Sequence, residues 1–193
     1  IKSFKYGIQI DGHYYHCKFN NILFYGCDYG FRGMSIANGA SFYGCHFASC
    51  NIGLAYYSMV YVSNTYFQGN NIAIQSAIGR ITCIDKCYFE GNKECLIDIL
   101  STDYLDSTLV LSNSFMYIPD MPIRFRQTDE QYNVTLTLVL NNNYIDNKAK
   151  AIDYFINVIS GDIIIKAENN KLRYKSLSFP ICSKEPLNTS YFN

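Results

Sequence analysis

Five carboxylates expected to face outward, Asp85, Glu90, Asp98, Asp103 and Asp106, fall in one stretch of the chain, and paired carboxyls are what hydrolyse glycosidic bonds. One protonates the leaving oxygen while the other acts as nucleophile or activates water, the two standing roughly 5 to 9 Å apart. Asp98 leads into the segment LSTDYLDST, so Asp98 with Asp103 or Asp106 is the best acid/base pair on offer. Cleavage by β-elimination would need a Lys, Arg or Tyr base beside a group that neutralises charge.

A second cluster, CHFASCNIGL from Cys45, gathers two cysteines and His46 and raises metal, disulfide and redox chemistry. Zinc sites usually combine tight ligand pairs such as C-x-x-C, and none occurs here. His13 and His16 are an odd number of residues apart, which puts them on opposite faces of a strand. Cys45 and His46 are adjacent, so on a strand they point apart and cannot form a nucleophile–base pair. No metal and no cofactor is expected.

Composition narrows the setting. The chain has 193 residues, 49% of them hydrophobic, which is enough for one cored domain. Sixteen basic residues balance sixteen acidic ones, so no nucleic-acid footprint is written into the net charge. No apolar run has the length of a membrane span, and no membrane insertion is expected. Eighteen Tyr and thirteen Phe with no Trp, among many Asn, Ser and Ile, favour strands and polar turns. The opening IKSFKYGIQI lacks an initiator Met and enters a strand pattern at once, as a piece of a longer protein would.

These residues are positioned by a repeat. ILFYGCDYGFR, CHFASCNIGLA, TYFQGNNIAIQ and CYFEGNKECLID each carry a short strand with Phe, a polar turn and a second alternating strand. Phe24, Phe47, Phe67 and Phe89 share one column, and Ile22, Cys45, Thr65 and Cys87 another two residues earlier. Cys27, Cys50, Asn70 and Asn92 share the turn. Later copies are less regular, with Phe115, Ile145 and Leu172 continuing the Phe column and the longer gaps implying loops at one corner. Repeats of this length without helices imply stacked coils. The expected fold is all-β, a parallel β-helix over residues 1–180 of about eight coils of 20–30 residues, followed by a tail over 181–193. Asn suits the turn column because it tolerates left-handed backbone angles and can hydrogen-bond its counterpart in the next coil.

The recurring C-x-F-x-G-N-x-x-I pattern resembles right-handed parallel β-helix proteins of the pectate-lyase-like group. The richness in Tyr, Asn and Ser is closer within that group to a bacteriophage tailspike or tail-fibre depolymerase. That resemblance implies a homotrimer that binds, and in some cases cleaves, bacterial surface polysaccharide such as capsule or O-antigen. It also implies a place on the virion after folding in the bacterial cytoplasm. A non-catalytic receptor-binding rod and a secreted polysaccharide lyase stand as alternatives. Four of the eight cysteines replace Ile, Thr or Asn of other copies, as small buried thiols do, and unpaired thiols suit a reducing compartment.

On such a rod the ligand must use outward residues. With Ile8, Phe31, Leu54, Ile74 and Ile97 inward, Gln9, Arg32, Ala55, Gln75 and Asp98 line one outer column. Arg32 and Gln75 are candidates for sugar hydroxyls, and Tyr56 and Tyr57, which follow this strand, for stacking on sugar rings. Tyr25, Tyr43, Tyr66 and Tyr88 alternate with inward Phe and should be exposed, toward glycan or a neighbouring subunit. The N-x-S/T matches at Asn133 and Asn188 are chance occurrences in an Asn-rich chain.

Overall fold

The structure, a computed structural model, describes residues 1–12, 15–33, 37–77, 81–101, 106–117, 119, 121–127, 134–147, 154–174, 182–183 and 188–190. Among them there is no helix, and every strand pairing is parallel to its counterpart one coil away. The chain is a parallel β-solenoid with three sheets. The first stacks Tyr6–Ile10, Tyr29–Gly33, Ile52–Tyr56, Ile72–Ala77, Cys95–Ser101, Met121–Gln127 and Ile156–Val158. The second stacks Tyr15–Asn20, Ala37–Tyr43, Ser58–Ser63, Ile81–Asp85, Ser107–Ser112, Thr135–Asn141, Asp162–Glu168 and Asn188–Ser190. The third stacks Leu23–Tyr25, His46–Ala48, Tyr66–Gln68, Tyr88–Glu90, Phe115–Tyr117, Tyr144–Asn147 and Lys171–Tyr174. The described strands make about six turns, fewer than the eight expected. Residues 102–106 and 128–134 join the first sheet to the second, and a further stretch separates Asn147 from Ile156.

The core is a set of columns running along the rod. Phe24, Phe47, Phe67 and Phe89 stack nearly face to face, with centroids 4.7, 5.1 and 5.1 Å apart, and all are fully buried. Phe31, Leu54, Ile74, Ile97 and Ile123 form a parallel apolar column from the first sheet. Between the two, glycine is a steric demand. A Cβ on Gly30 would sit 2.5 Å from the carbonyl oxygen of Gly53 and 2.7 Å from a Phe47 ring carbon.

Each turn of the second-to-third corner uses two consecutive residues with separate duties. Asn21, Gly44, Asn64, Lys86, Asn113, Asn142 and Asn169 take left-handed backbone angles, where Asn and Gly are least penalised. The following residue then bonds to the next coil. The backbone N–H of Cys45 donates to Thr65 Oγ1, that of Cys87 to Ser114 Oγ, that of Ser114 to Asn143 Oδ1 and that of Asn143 to Asn170 Oδ1. The third-to-first corner repeats the device. Gly26, Ser49, Gly69 and Gly91 are left-handed, Cys50 N–H donates to Asn70 Oδ1, and Asn70 Nδ2 donates to both Asn92 Oδ1 and the Phe47 carbonyl. The expected Asn stacking is therefore present at Asn70 and Asn92, while the left-handed angle belongs to the residue before each.

This corner also corrects the register of one copy. In every coil the core residue follows the left-handed residue by three, as Phe24 follows Asn21, so Asn113 assigns the column to Met116. Met116 is fully buried beside Phe89, and Phe115 turns outward. Beyond the last complete coil, Cys182 bridges to Ile156 and Asn188–Ser190 extends the second sheet.

Candidate functional site

The outer column of the first sheet has the register anticipated from the repeat: Gln9, Arg32, Ala55, Gln75 and Asp98 are successive neighbours, and Arg124 and Asn157 continue it. From Gln75 to Arg124 its polar groups face one another, whereas Gln9 at its start is exposed and donates to Asp11. Asp98 is fully buried. Arg124 grips its carboxylate in a two-pronged ion pair, Nε to Oδ1 and Nη2 to Oδ2, each 2.8 Å. Arg126 Nη2 adds a third bond at 2.8 Å and Gln75 Nε2 a fourth at 3.2 Å, while Arg124 Nη1 also reaches Glu94 at 2.8 Å. Burial by itself would push the Asp98 carboxyl up, but the hydrogen bonds from Arg124 and Arg126 outweigh it and hold it below the usual carboxylate range. Its hydrogen bond to Asp98 raises Arg124 further still.

A carboxylate with four donors and no exposed surface has neither a proton to give nor a lone pair free for a substrate. The other proposed acids stand elsewhere. Asp106 Oδ1 accepts the Thr135 backbone N–H at 2.8 Å, and Asp103 lies outside the described residues. Arg32 lies between the Tyr6 and Tyr29 rings, 5.1 Å from each centroid, and donates to the Tyr6 hydroxyl at 2.8 Å. Tyr56 is buried in the core, its hydroxyl sharing a 2.6 Å hydrogen bond with Thr82, because it stands two residues after the inward Leu54 on the same face of the strand. Tyr57 is the one-residue connection that follows and is half-buried.

The cysteines are structural. No disulfide links them, and burial pushes the thiols of Cys50 up to about 11 and of Cys87 and Cys95 up to about 12, so they stay protonated and unreactive. The Cys50 thiol donates to the Ala48 carbonyl at 3.5 Å. Among the described residues no three His, Cys, Asp or Glu side chains gather as a metal site.

The outer face of the third sheet is different in kind. Leu23, His46, Tyr66, Tyr88, Phe115, Tyr144 and Lys171 succeed one another along it. From His46 to Tyr144 they form an unbroken aromatic ribbon, with centroids 5.7, 4.9, 5.2 and 4.8 Å apart. Lys171 closes it, its ammonium 5.9 Å from the Tyr144 centroid. Tyr66 and Leu23 are each 49% exposed. Beside the ribbon, Gln68 donates to Glu90 at 3.3 Å.

Tyr66 and Tyr88 were legible as outward residues, Phe115 was missed through the one-residue register error, and Tyr144, one residue before the correctly placed Ile145, was not singled out. The signal that finds them is the left-handed Asn, three residues before each core position. Arg124 was missed as well, although it lies in a recognised copy, flanked by the inward Ile123 and Phe125. Fold and site together define a parallel β-solenoid with one largely paired polar face and one half-exposed aromatic face. Comparison with protein-family models, curated proteins and solved structures finds no match, so the residues themselves carry the functional reading.

Proposed function

We propose that this protein binds an extended bacterial surface polysaccharide, capsule or O-antigen, along the third sheet, and that it holds the glycan without cleaving it. The aromatic ribbon is the observation that supports this reading. Sugar rings have apolar C–H faces that stack on flat aromatic side chains while their hydroxyls remain hydrated or meet polar neighbours. A ladder repeating every coil offers successive rings of a polymer equivalent seats, and Gln68 and Glu90 border it with hydrogen-bonding groups. The engaged state of Asp98 argues for a binding rod over a depolymerase. The right-handed pectate-lyase-like group, and within it a tailspike-like place on a virion, is the setting we propose, and the unpaired thiols suit its assembly in a reducing cytoplasm.

The test is titration of the intact chain with a panel of capsular and O-antigen polysaccharides. At least one should bind saturably, and Tyr66→Ala and Phe115→Ala should each weaken it. Equal affinity in both variants would remove the ribbon from the argument. New reducing ends, or the absorbance of unsaturated uronates, would show cleavage and overturn the holding role.

A further inference from the structure

A separate cavity of about 220 Å³ opens on the outer face of the second sheet, near the start of the rod. It is built where two neighbouring strands kink together. His16 has a φ of 53° and Gly39 a φ of 85°, both left-handed, and Gly39 is the extra residue where Ala37–Tyr43 slips against Ser58–Ser63 between Asn38 and Ala40. Such bulges bend a strand and re-aim its side chains. Any Cβ on Gly39 would stand 3.4 Å from His16 Nδ1, so the glycine keeps the space beside the imidazole open.

The lining has a consistent chemistry. The lining surface is mostly apolar, with Met59 and Tyr61 as walls and a smaller polar share from the donors His16, Lys18 and Ser41, and no carboxylate is among the described lining residues. Tyr61 is 44% exposed, leaving ring surface available, and Lys18 is exposed. The ammonium, imidazole N–H and hydroxyl are the donors that hold a carboxylate through charge-assisted hydrogen bonds. At about 30 Å³ per liquid water, the cavity has room for roughly seven waters, which suits one six-membered ring bearing an acid group and excludes a folded polymer.

We propose that this cavity is a binding site for a small organic acid built on a single ring, with Lys18 and His16 holding the carboxylate and Tyr61 and Met59 packing the ring. The site is independent of the aromatic ribbon. The acid could be a uronic acid or an aromatic acid, which share the carboxylate-on-ring chemistry and differ in the polarity of the ring.

The intact chain should be titrated with glucuronate, benzoate and glucose, followed by amide NMR. Saturable shifts at Lys18, Ser41 and Tyr61 are expected with at least one of the two acids. Glucuronate alone assigns the site to an acidic sugar, benzoate alone to an aromatic acid, and both to the shared class. Lys18→Gln, an exposed change that spares the core, should weaken binding about tenfold or more, whereas Tyr66→Ala on the ribbon should leave it unchanged. Silence from both acids, glucose binding as tightly as glucuronate, or full affinity in Lys18→Gln would each overturn the proposal.

Discussion

The outer faces of the first and third sheets come from the same repeat and have opposite characters. On the first, charged and amide side chains from different coils close on one another until Asp98 and its partners leave little for solvent or ligand. On the third, aromatic side chains stack along the rod with their edges and part of their faces open. Polarity is therefore a poor guide to which face has groups left unengaged. A buried polar residue whose partners lie one coil away is consumed by the fold, whereas a half-exposed aromatic ladder has packing capacity left over.

The comparison can be broken most forcefully at Asp98. Asp98→Ala leaves Arg124 partly buried without its main partner, and removing one member of a buried pair costs about 3–5 kcal/mol. Chemical denaturation should show that loss with the circular dichroism of a β-rich fold retained in the absence of denaturant, and a near-zero change would mean the clasp is open to water. Acid should reach the same clasp reversibly. Because the folded carboxyl titrates below its unfolded value, its stabilisation is present above about pH 4 and is lost as pH falls from there through the folded pKa. Asp98→Ala should flatten that part of the stability–pH curve.

On the open face the expected stability effects are smaller. Tyr66→Ala removes stacking against Tyr88, 4.9 Å away, and should cost about 0.5–1.5 kcal/mol while weakening glycan binding. A loss as large as that of Asp98→Ala would mark the ribbon as structural and erase the contrast. Smallest should be Glu94→Gln. Glu94 is 43% exposed in its pair with Arg124, and exposed pairs contribute about 0.2–1 kcal/mol. A larger effect would extend the buried clasp outward to Glu94.

Much of the fold was legible because strand geometry is local. Alternation along two or three residues assigns a side to each side chain, and the recurrence of Phe24, Phe47, Phe67 and Phe89 aligns the coils. The register failed at Phe115 because two aromatic or apolar residues, Phe115 and Met116, compete for one column and hydrophobicity favours the wrong one. The left-handed turn at Asn113 decides it. The candidate site was less legible. Asp98 was placed on the right column and given the wrong availability, because its partners Arg124 and Arg126 lie 26 and 28 residues away and nothing local reports that they converge. Tyr56 was named as a ligand contact although it lies two residues after the inward Leu54, and the alternation that places Leu54 in the core places Tyr56 there too.

The sequence by itself determined a solenoid of short parallel strands, its inward columns, its polar turns and the small thiols within them, since each depends on side-chain type at a fixed offset from its own backbone. Only the tertiary structure decided which outward residues remain available. Pairing between coils depends on how corners of unequal length bring distant side chains to within about 3 Å of one another. That three-dimensional pairing closed the polar column around Asp98 and left the aromatic one partly exposed.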